Sequence, residues 1–475
     1  MVFSSLFFLY CFLPVTIIVY YLSKSLKVKN VVLFSASMIF YAWGEPVMII
    51  QMLLSGFLVY TCGLFLHKQQ KSGGTGKLPL TMGIILALTP LIIFKYSGFF
   101  ISNINYLGFL NLPVPKLSLP IGISFYTFQI ISYIIDLYRG KCHVQKNLMK
   151  FWLYEALFPQ LIAGPIIRYS DVEREISNRN TSSVDLIYGT KRFVIGLAKK
   201  TLLANYAGVI VNQTIAGNAI QNATSVHAII GMFAFFFQIY FDFSAYSDMA
   251  IGLGRIFGFH FKENFNYPYI SKSVSEFWRR WHMSLGSFFK DYLYIPLGGK
   301  NNLIRNLPIV WAITGFWHGA SWNFIFWGLY NMLFITLEKT LLKNVLKKTP
   351  DFIKWILTLL VTAFGWMLFY FVDLSQLVLF LQKIFVLGGN SFTSFEATSI
   401  LRQNILFLIF SFIAMTPIFP FLSGQIHKRV LFKNKDMEQN LYYNLSVSFG
   451  LLFLIVLSTS SLVGSSYNPF LYFRF

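Results

Sequence analysis

Trp311-Ala-Ile-Thr-Gly-Phe-Trp-His-Gly-Ala-Ser-Trp-Asn-Phe-Ile-Phe-Trp-Gly328 is an apolar, tryptophan-rich run with one histidine, His318, near its centre. No lysine, arginine, aspartate or glutamate interrupts residues 306–337. An ionisable side chain inside so apolar a stretch costs free energy at membrane depth, and such residues are retained for chemistry or transport. Imidazole also exchanges a proton near neutral pH, which no other side chain in this run does. The plain alternative is a buried histidine satisfied by one backbone partner. The run lies within a stretch, Leu307 to Leu337, that must cross and return in 31 residues. Two full crossings need roughly 40. The pair is therefore expected to be short or re-entrant, with a turn near Gly315 to Ser321 and His318 at the floor of an outer depression.

The rest of the chain has the same character. It is 475 residues long, 56% hydrophobic and 12% charged, with 53 phenylalanines. Soluble domains carry roughly twice that charge fraction. Apolar runs near or beyond 18 residues recur from end to end, as membrane spans require. The expected fold is all-α: a polytopic integral membrane protein of about 11 transmembrane helices, with re-entrant and interfacial pieces. No long polar stretch separates two cores, so residues 1–475 form one membrane domain. Met1 to Tyr21 lacks the basic opening of a signal peptide and is expected to be a first span that is kept. Cys11, Cys62 and Cys142 show neither metal nor redox spacing, and no metal site is expected.

The net charge of +21 does not indicate nucleic acid. The basic residues fall in short clusters between apolar runs, as in cytoplasmic loops, where anionic lipid headgroups are the natural partner. Lys24-Lys27-Lys29, Lys68-Lys71-Lys77 and Arg139-Lys141-Lys146 alternate with loops of little positive charge at Glu45-Pro46 and Ser102 to Pro115. The positive-inside rule puts the N-terminus outside. Arg168 to Lys200, Arg255 to Lys300, Lys339 to Lys354 and Lys428 to Lys435 would then be cytoplasmic. Asn212 to His227 and Asp373 to Arg402 would face outward, and a last span, about Leu441 to Val463, delivers the C-terminus outside. Glu155 to Pro165 carries Pro159, Gly164 and Pro165 amid apolar residues. Broken backbone of this kind is tolerated at membrane depth only under protein cover or beside a water-filled cavity.

Two further segments bear chemistry. From Tyr267 to Gly299, Phe277, Trp281, Leu285 and Phe288 recur at helical spacing, with Ser275 in the place of a cap. Arg279, Arg280 and Lys290 set charge beside the rings of Trp278 and its neighbours. An interfacial amphipathic helix is one reading. A cytoplasmic mouth that holds phosphate oxygens is the other. The C-terminus, Asn468-Pro-Phe-Leu-Tyr-Phe-Arg-Phe475, reads from composition as an interfacial aromatic anchor. Asp136 and Arg139 are expected to pair near a helix end, and at least one of Asp242 and Asp248 to be buried with a partner.

Taken together, the strings Phe277-Trp-Arg-Arg-Trp-His282, Asp291-Tyr-Leu-Tyr-Ile-Pro-Leu-Gly-Gly299 and Trp317-His-Gly-Ala-Ser-Trp322 resemble the membrane-bound O-acyltransferase family in its bacterial, envelope-acetylating branch. Phe158-Pro-Gln-Leu-Ile-Ala-Gly-Pro165 and Phe241-Asp-Phe-Ser-Ala-Tyr-Ser-Asp248 belong to the same likeness, which covers nearly the whole chain. The resemblance implies a helical fold around a tunnel, reached by acyl donor from the cytoplasm and by acceptor from outside. It implies that His318 is the essential histidine and His282 a second, positioning residue. It further implies that residues 470–475 are an acyl-acceptor motif, in which Tyr472 takes the acyl group as a phenolic ester and passes it to an extracytoplasmic SGNH-type transferase that esterifies a polysaccharide.

On this reading acetyl-coenzyme A is a substrate, and no bound cofactor is expected. His318 deprotonates the incoming hydroxyl, which attacks the thioester carbonyl. Trp317, Trp322, Asn323 and backbone amides near Gly315 and Gly319 are candidate donors to the oxyanion. Two alternatives stay open: D-alanyl transfer to teichoic acid, and a flippase or transporter of acylated lipid. No inverted repeat of the transporter kind is visible.

Overall fold

The computed structural model describes the chain apart from residues 109, 434–436, 465–467, 469 and 472–475, and apart from the side chains of 426–442. Tyr472 therefore lies outside the described residues, as do the side chains of the basic Lys428 to Lys435 segment.

Among the described residues every regular element is helical. Seven helices are long and apolar enough to cross a membrane: Met48–Lys71, Lys77–Tyr106, Ser183–Thr214, Ser225–Ile256, Asp351–Tyr370, Phe395–Ala414 and Tyr443–Val463. Fewer reach full length than the eleven or so expected. Several apolar runs fold as shorter helices instead, among them Leu26–Ala42 with 17 residues and Ile123–Tyr138 with 16. The latter is buried at nearly every position, so it is a core element of the protein with little surface for lipid.

The 32-residue helix Ser225–Ile256 is the axis of the packing. Small residues let Ser183–Thr214 lie directly against it, as in other lipid-embedded helix pairs. A Cβ on Gly189 would come within 2.6 Å of the Gly252 carbonyl, and one on Gly196 within 2.8 Å of the Ala245 carbonyl. The close approach brings buried charges together. Asp248 sits between Arg192 and Lys199, at 2.7 and 2.6 Å, and Asp242 meets Lys200 at 2.6 Å. Both aspartates are thus buried with partners. Asp136 and Arg139 do not pair: Asp136 accepts from the Ser170 hydroxyl, while Arg139 donates to the Asp291 carbonyl. The helix carrying Asp136 ends at Tyr138, and Arg139 caps it.

The Glu155 to Pro165 segment is broken and covered, as its prolines and glycine require. The helix Leu148–Ala156 stops at Leu157, and Phe158–Leu161 makes a single turn. Residues 153–167 are all buried. Backbone N–H groups freed by the break find hydroxyls from distant helices, Phe158 on Ser37 and Ile166 on Ser284, each at 3.0 Å.

The His318 hairpin is tighter than expected. One helix runs Leu303–His318, Gly319 to Ser321 link it, and a second runs Trp322–Lys339. Gly315 lies inside the first helix. A Cβ there would meet the Phe324 carbonyl oxygen at 2.0 Å, and one on Gly328 the Trp311 carbonyl oxygen at 2.2 Å. Sixteen residues at ~1.5 Å each give a helix of about 24 Å, short of the ~30 Å hydrocarbon layer. Since backbone cannot yield as a side chain does, Gly315→Ala is expected to destabilise by at least the ~1–3 kcal/mol typical of overpacking. Gly424→Ala meets nothing within 4 Å and should not. Thermal unfolding of the two detergent-purified variants, followed by size exclusion, measures the contrast; equal midpoints would show that the hairpin does not depend on this contact.

Candidate active site

His318 is the last residue of its helix and is 8% exposed. Three aromatic rings meet its imidazole edge to face: Trp317 at 4.9 Å, Trp327 at 5.2 Å and Phe369 at 5.2 Å between centroids. Such contacts fix a ring's plane without consuming its polar edge. The imidazole lines a small cavity with Phe243, Trp281, Trp366, Phe369, Asp242, Phe470 and Leu471 among its walls. The apolar walls come from the helices Ser225–Ile256 and Asp351–Tyr370, from Trp281 at the end of Val274–Arg280 and from the C-terminal segment, so the cavity exists only in the folded chain.

A helix end leaves its last carbonyls without intrahelical donors. Here the gap is filled by Lys95. Its ammonium donates to the carbonyl of Trp317 at 2.6 Å, to that of His318 at 3.1 Å and to the Ser124 hydroxyl at 3.3 Å. A cation at a helix C-terminus is favoured electrostatically as well. Lys95 reaches that place from Ile92–Tyr96, a π-helical turn within the long helix Lys77–Tyr106. Insertions of this kind re-aim side chains and are frequent at functional sites. Nothing in the sequence reading singled Lys95 out, although it is the one charged residue between Lys77 and Lys116. The membrane-cost argument that selects His318 selects it too.

His282 occupies a break in what periodicity presents as one helix. Val274–Arg280 ends, His282 takes a left-handed conformation (φ 45°), and Met283–Phe289 begins. The cap of the first piece is Ser273 rather than Ser275, its hydroxyl accepting from the Glu276 N–H. The apolar stripe still points inward: Phe277, Trp281, Leu285 and Phe288 are all buried. The His282 side chain is 2% exposed. Its Nδ1 lies 3.1 Å from the Asn264 Oδ1, which also accepts from the Ser284 hydroxyl at 2.8 Å. Nε2 has no hydrogen-bond partner among the described residues. The Trp317 ring separates the two histidines, 6.1 Å from one and 4.9 Å from the other.

The remaining expected site residues divide. Trp317 is 2% exposed and stacks on Phe128, with Lys95 above it. Trp278 stands one ring behind the cavity: its indole donates to Asn331, and it meets Trp327 and Trp366 edge on. Arg280 pairs with Glu276, whereas Arg279 and Lys290 are exposed. Neither Trp322 nor Asn323 lines the cavity. Trp322 is 49% exposed and donates to Asn103. Asn323 commits its amide donors to the carbonyls of Leu368 and Phe369, and its oxygen accepts from Ser321.

The C-terminal segment enters the same place. Phe470 and Leu471 are buried in the cavity wall, and the Leu471 N–H donates to the Asp242 carboxylate at 2.8 Å. Asn468 exchanges hydrogen bonds with Ser4 at 3.2 and 2.9 Å, so it lies beside the N-terminal segment.

The Lys95 cap can be tested without an activity. Hydrogen bonds to charged groups contribute about 1.5–3 kcal/mol. In Lys95→Met the last turn of Leu303–His318 should therefore fray, and amide exchange across residues 315–318 should quicken by roughly ten-fold or more. Hydrogen–deuterium exchange mass spectrometry reads this directly, and unchanged protection would remove Lys95 from the role.

Residues 143–381 match the model of the membrane-bound O-acyltransferase family. The chain is 38% identical to a probable alginate O-acetylase of Pseudomonas aeruginosa, over 85% of this chain and 78% of that protein. It is 34% identical to a probable alginate O-acetylase of Azotobacter vinelandii over the full length of both. With a peptidoglycan O-acetyltransferase of Helicobacter pylori it shares 31% identity, over 100% of this chain and 98% of the other. A membrane-length helical frame, a histidine caged at a helix end beside a largely apolar cavity, and end-to-end similarity to acetyl-transferring proteins agree, and the chain belongs to the membrane-bound O-acyltransferase family.

Proposed function

We propose that this enzyme moves an acetyl group from cytoplasmic acetyl-coenzyme A through the His318 cavity to Tyr472 of its own C-terminal segment, for onward transfer outside the cell to an envelope polysaccharide. The observation that carries the reading is the shared wall. His318 and the Phe470–Leu471 pair line one cavity, and Tyr472 follows Leu471 directly.

The chemistry asks little beyond positioning. A thioester is already activated, so the protein must supply proximity, a proton acceptor and exclusion of water. The imidazole of His318 takes the phenolic proton as the Tyr472 oxygen attacks the thioester carbonyl. The tetrahedral intermediate collapses, the carbon–sulfur bond breaks, and the proton passes from the imidazole to the departing thiolate. Tyr472 is left as an aryl ester. Phenolate is a better leaving group than an alkoxide, so the ester remains a competent donor. A polysaccharide hydroxyl then takes the acetyl group on an extracytoplasmic transferase of SGNH type. Phe243, Trp281, Trp366 and Phe369 keep competing water from the thioester.

The donor's phosphates need cations outside the apolar cavity. Arg279 and Lys290, exposed on either side of the His282 break, suit that place, with the Arg280–Glu276 pair between them. The topology that follows from the loop charges puts these residues on the cytoplasmic face of the plasma membrane and both chain ends outside. Acceptor specificity then belongs to the partner transferase. An acetyl rather than a D-alanyl cargo is supported by the acetylating relatives that align along the whole chain.

Loss of a general base lowers rates by about 10²–10⁴-fold. His318→Ala is therefore expected to insert and fold but to lose acetyl transfer by that factor. Membranes incubated with isotopically labelled acetyl-coenzyme A should yield a C-terminal peptide carrying one acetyl group on Tyr472. The adduct should vanish in Tyr472→Phe, which keeps the ring, and in His318→Ala. Wild-type polysaccharide acetylation by Tyr472→Phe would end the relay and return the C-terminus to a membrane anchor.

A further inference from the structure

The C-terminal segment is held in an unusual way for a terminus. Its last described residues, Phe470 and Leu471, are 7% and 4% exposed. Phe470 packs with the apolar cluster that contains Trp317, and Leu471 with the separate cluster that contains Trp281 and Trp366. The segment therefore lies in the seam between two cores. Polar contacts at two of its residues hold it there. Asn468 accepts from Ser4 and Asn205 at 3.2 Å each and donates to the Ser4 carbonyl at 2.9 Å. Three residues on, the Leu471 N–H donates to Asp242 Oδ2 at 2.8 Å.

Asp242 is the informative member. Its side chain is 2% exposed, and its Oδ1 meets Lys200, 5% exposed, at 2.6 Å. A buried ion pair is poor value as a mere staple, because apolar residues of like volume generally hold two helices as well or better. Four positions of the same helix pair are already joined through Asp248, Arg192, Lys199 and the glycine contacts. What an apolar pair does not offer is an anionic acceptor aimed at a backbone N–H. Lys200 holds one carboxylate oxygen, and the other accepts from the segment. The contact is to the main chain, so it does not depend on the side chain at position 471.

We propose that the Asp242–Lys200 pair is a docking clamp for the C-terminal segment, and that this segment is a detachable arm which seats in the His318 cavity to be loaded and leaves it to be unloaded. The inference rests on the acyl-relay reading for its purpose, although the docking itself does not require it. The relay asks for departure: a group loaded beside His318 must reach a second protein to be passed on. Asp242 is thus a positioning residue, acting on the acceptor through its backbone.

The test is thiol labelling of the full-length, detergent-purified chain carrying Leu471→Cys. A maleimide is applied, and modification of the C-terminal peptide is followed by mass spectrometry, which separates it from the native cysteines. Breaking a charged hydrogen bond changes an opening equilibrium by about ten-fold or more. Labelling should quicken by that factor in Asp242→Leu and by less in Asp242→Asn, whose amide oxygen still accepts. Asp242→Leu leaves a buried cation behind, so the double change Asp242→Leu with Lys200→Met is made as well. It removes both charges, and it should free the arm while leaving thermal stability near that of the parent.

In activity assays on the Leu471 parent, Asp242→Asn should lower the rate of adduct formation with no change in donor KM, since the acceptor is intramolecular. Labelling that ignores all three changes overturns the clamp. The same series in a Tyr472→Phe background separates the two ideas. Protection that still depends on Asp242, with no adduct found in the parent, keeps the clamp and sinks the relay. An adduct at Tyr472 with protection indifferent to Asp242 does the reverse.

Discussion

Lipid supplies no hydrogen-bond partners, so a helix that stops at membrane depth must have its last carbonyls answered by protein. The Leu303–His318 helix ends buried inside the protein, and the ammonium of Lys95 answers for Trp317 and His318 together. Everything about the active site follows from that end being stable. A helix continued by one more turn would bury His318 in its own side-chain packing. A frayed end would let the imidazole wander out of the plane that Trp317, Trp327 and Phe369 impose. The three-residue link to Trp322–Lys339 is possible because Gly315 and Gly328 let the two backbones touch.

The same rule organises the second histidine and the broken loop before it. At both of these breaks a hydroxyl or amide from a distant element is waiting. Ser37 and Ser284 serve Phe158 and Ile166, and Asn264 serves both His282 and Ser284. These contacts tie the Phe158 to Pro165 segment, the His282 turn and the helix Ile123–Tyr138 into one rigid wall of the site. Phe128 of that helix stacks on Trp317 on one side and Phe288 on the other. The aromatic excess of the chain is used here, in rings that hold a cavity open without offering water a partner.

How much of this is legible before folding depends on the range of the interaction. Membrane class, the covered break at Pro159 to Pro165 and the shortened hairpin all rest on local composition and length, and the structure reproduces them. His318 is legible because a lone ionisable group in 32 apolar positions stands out on its own. Lys95 satisfies the same criterion. Its role is hidden because its partners are 222 and 223 residues away. The clamp on the tail joins Asp242 to Leu471 across 229 residues, and no spacing rule reaches that far. The helix break at His282 misleads for another reason. Hydrophobic period survives a one-residue left-handed turn when both flanking helices face the same core, so Phe277, Trp281, Leu285 and Phe288 present an unbroken stripe. Trp322 and Asn323 show the converse: adjacency to the reactive histidine in sequence says nothing about the face a side chain takes once a new helix begins.

The account's central claim is that the acyl thioester is brought to the imidazole of His318 within the aromatic cavity. The most direct measurement is a cryo-electron microscopy structure of the enzyme with an acetyl-coenzyme A analogue whose sulfur is replaced by methylene, so that transfer cannot occur. The account predicts the analogue's ketone within hydrogen-bonding distance of the site between His318, Trp281 and Phe369, and its nucleotide at the face bearing Arg279 and Lys290. An analogue bound elsewhere, with the His318 cavity closed on both sides, would contradict it.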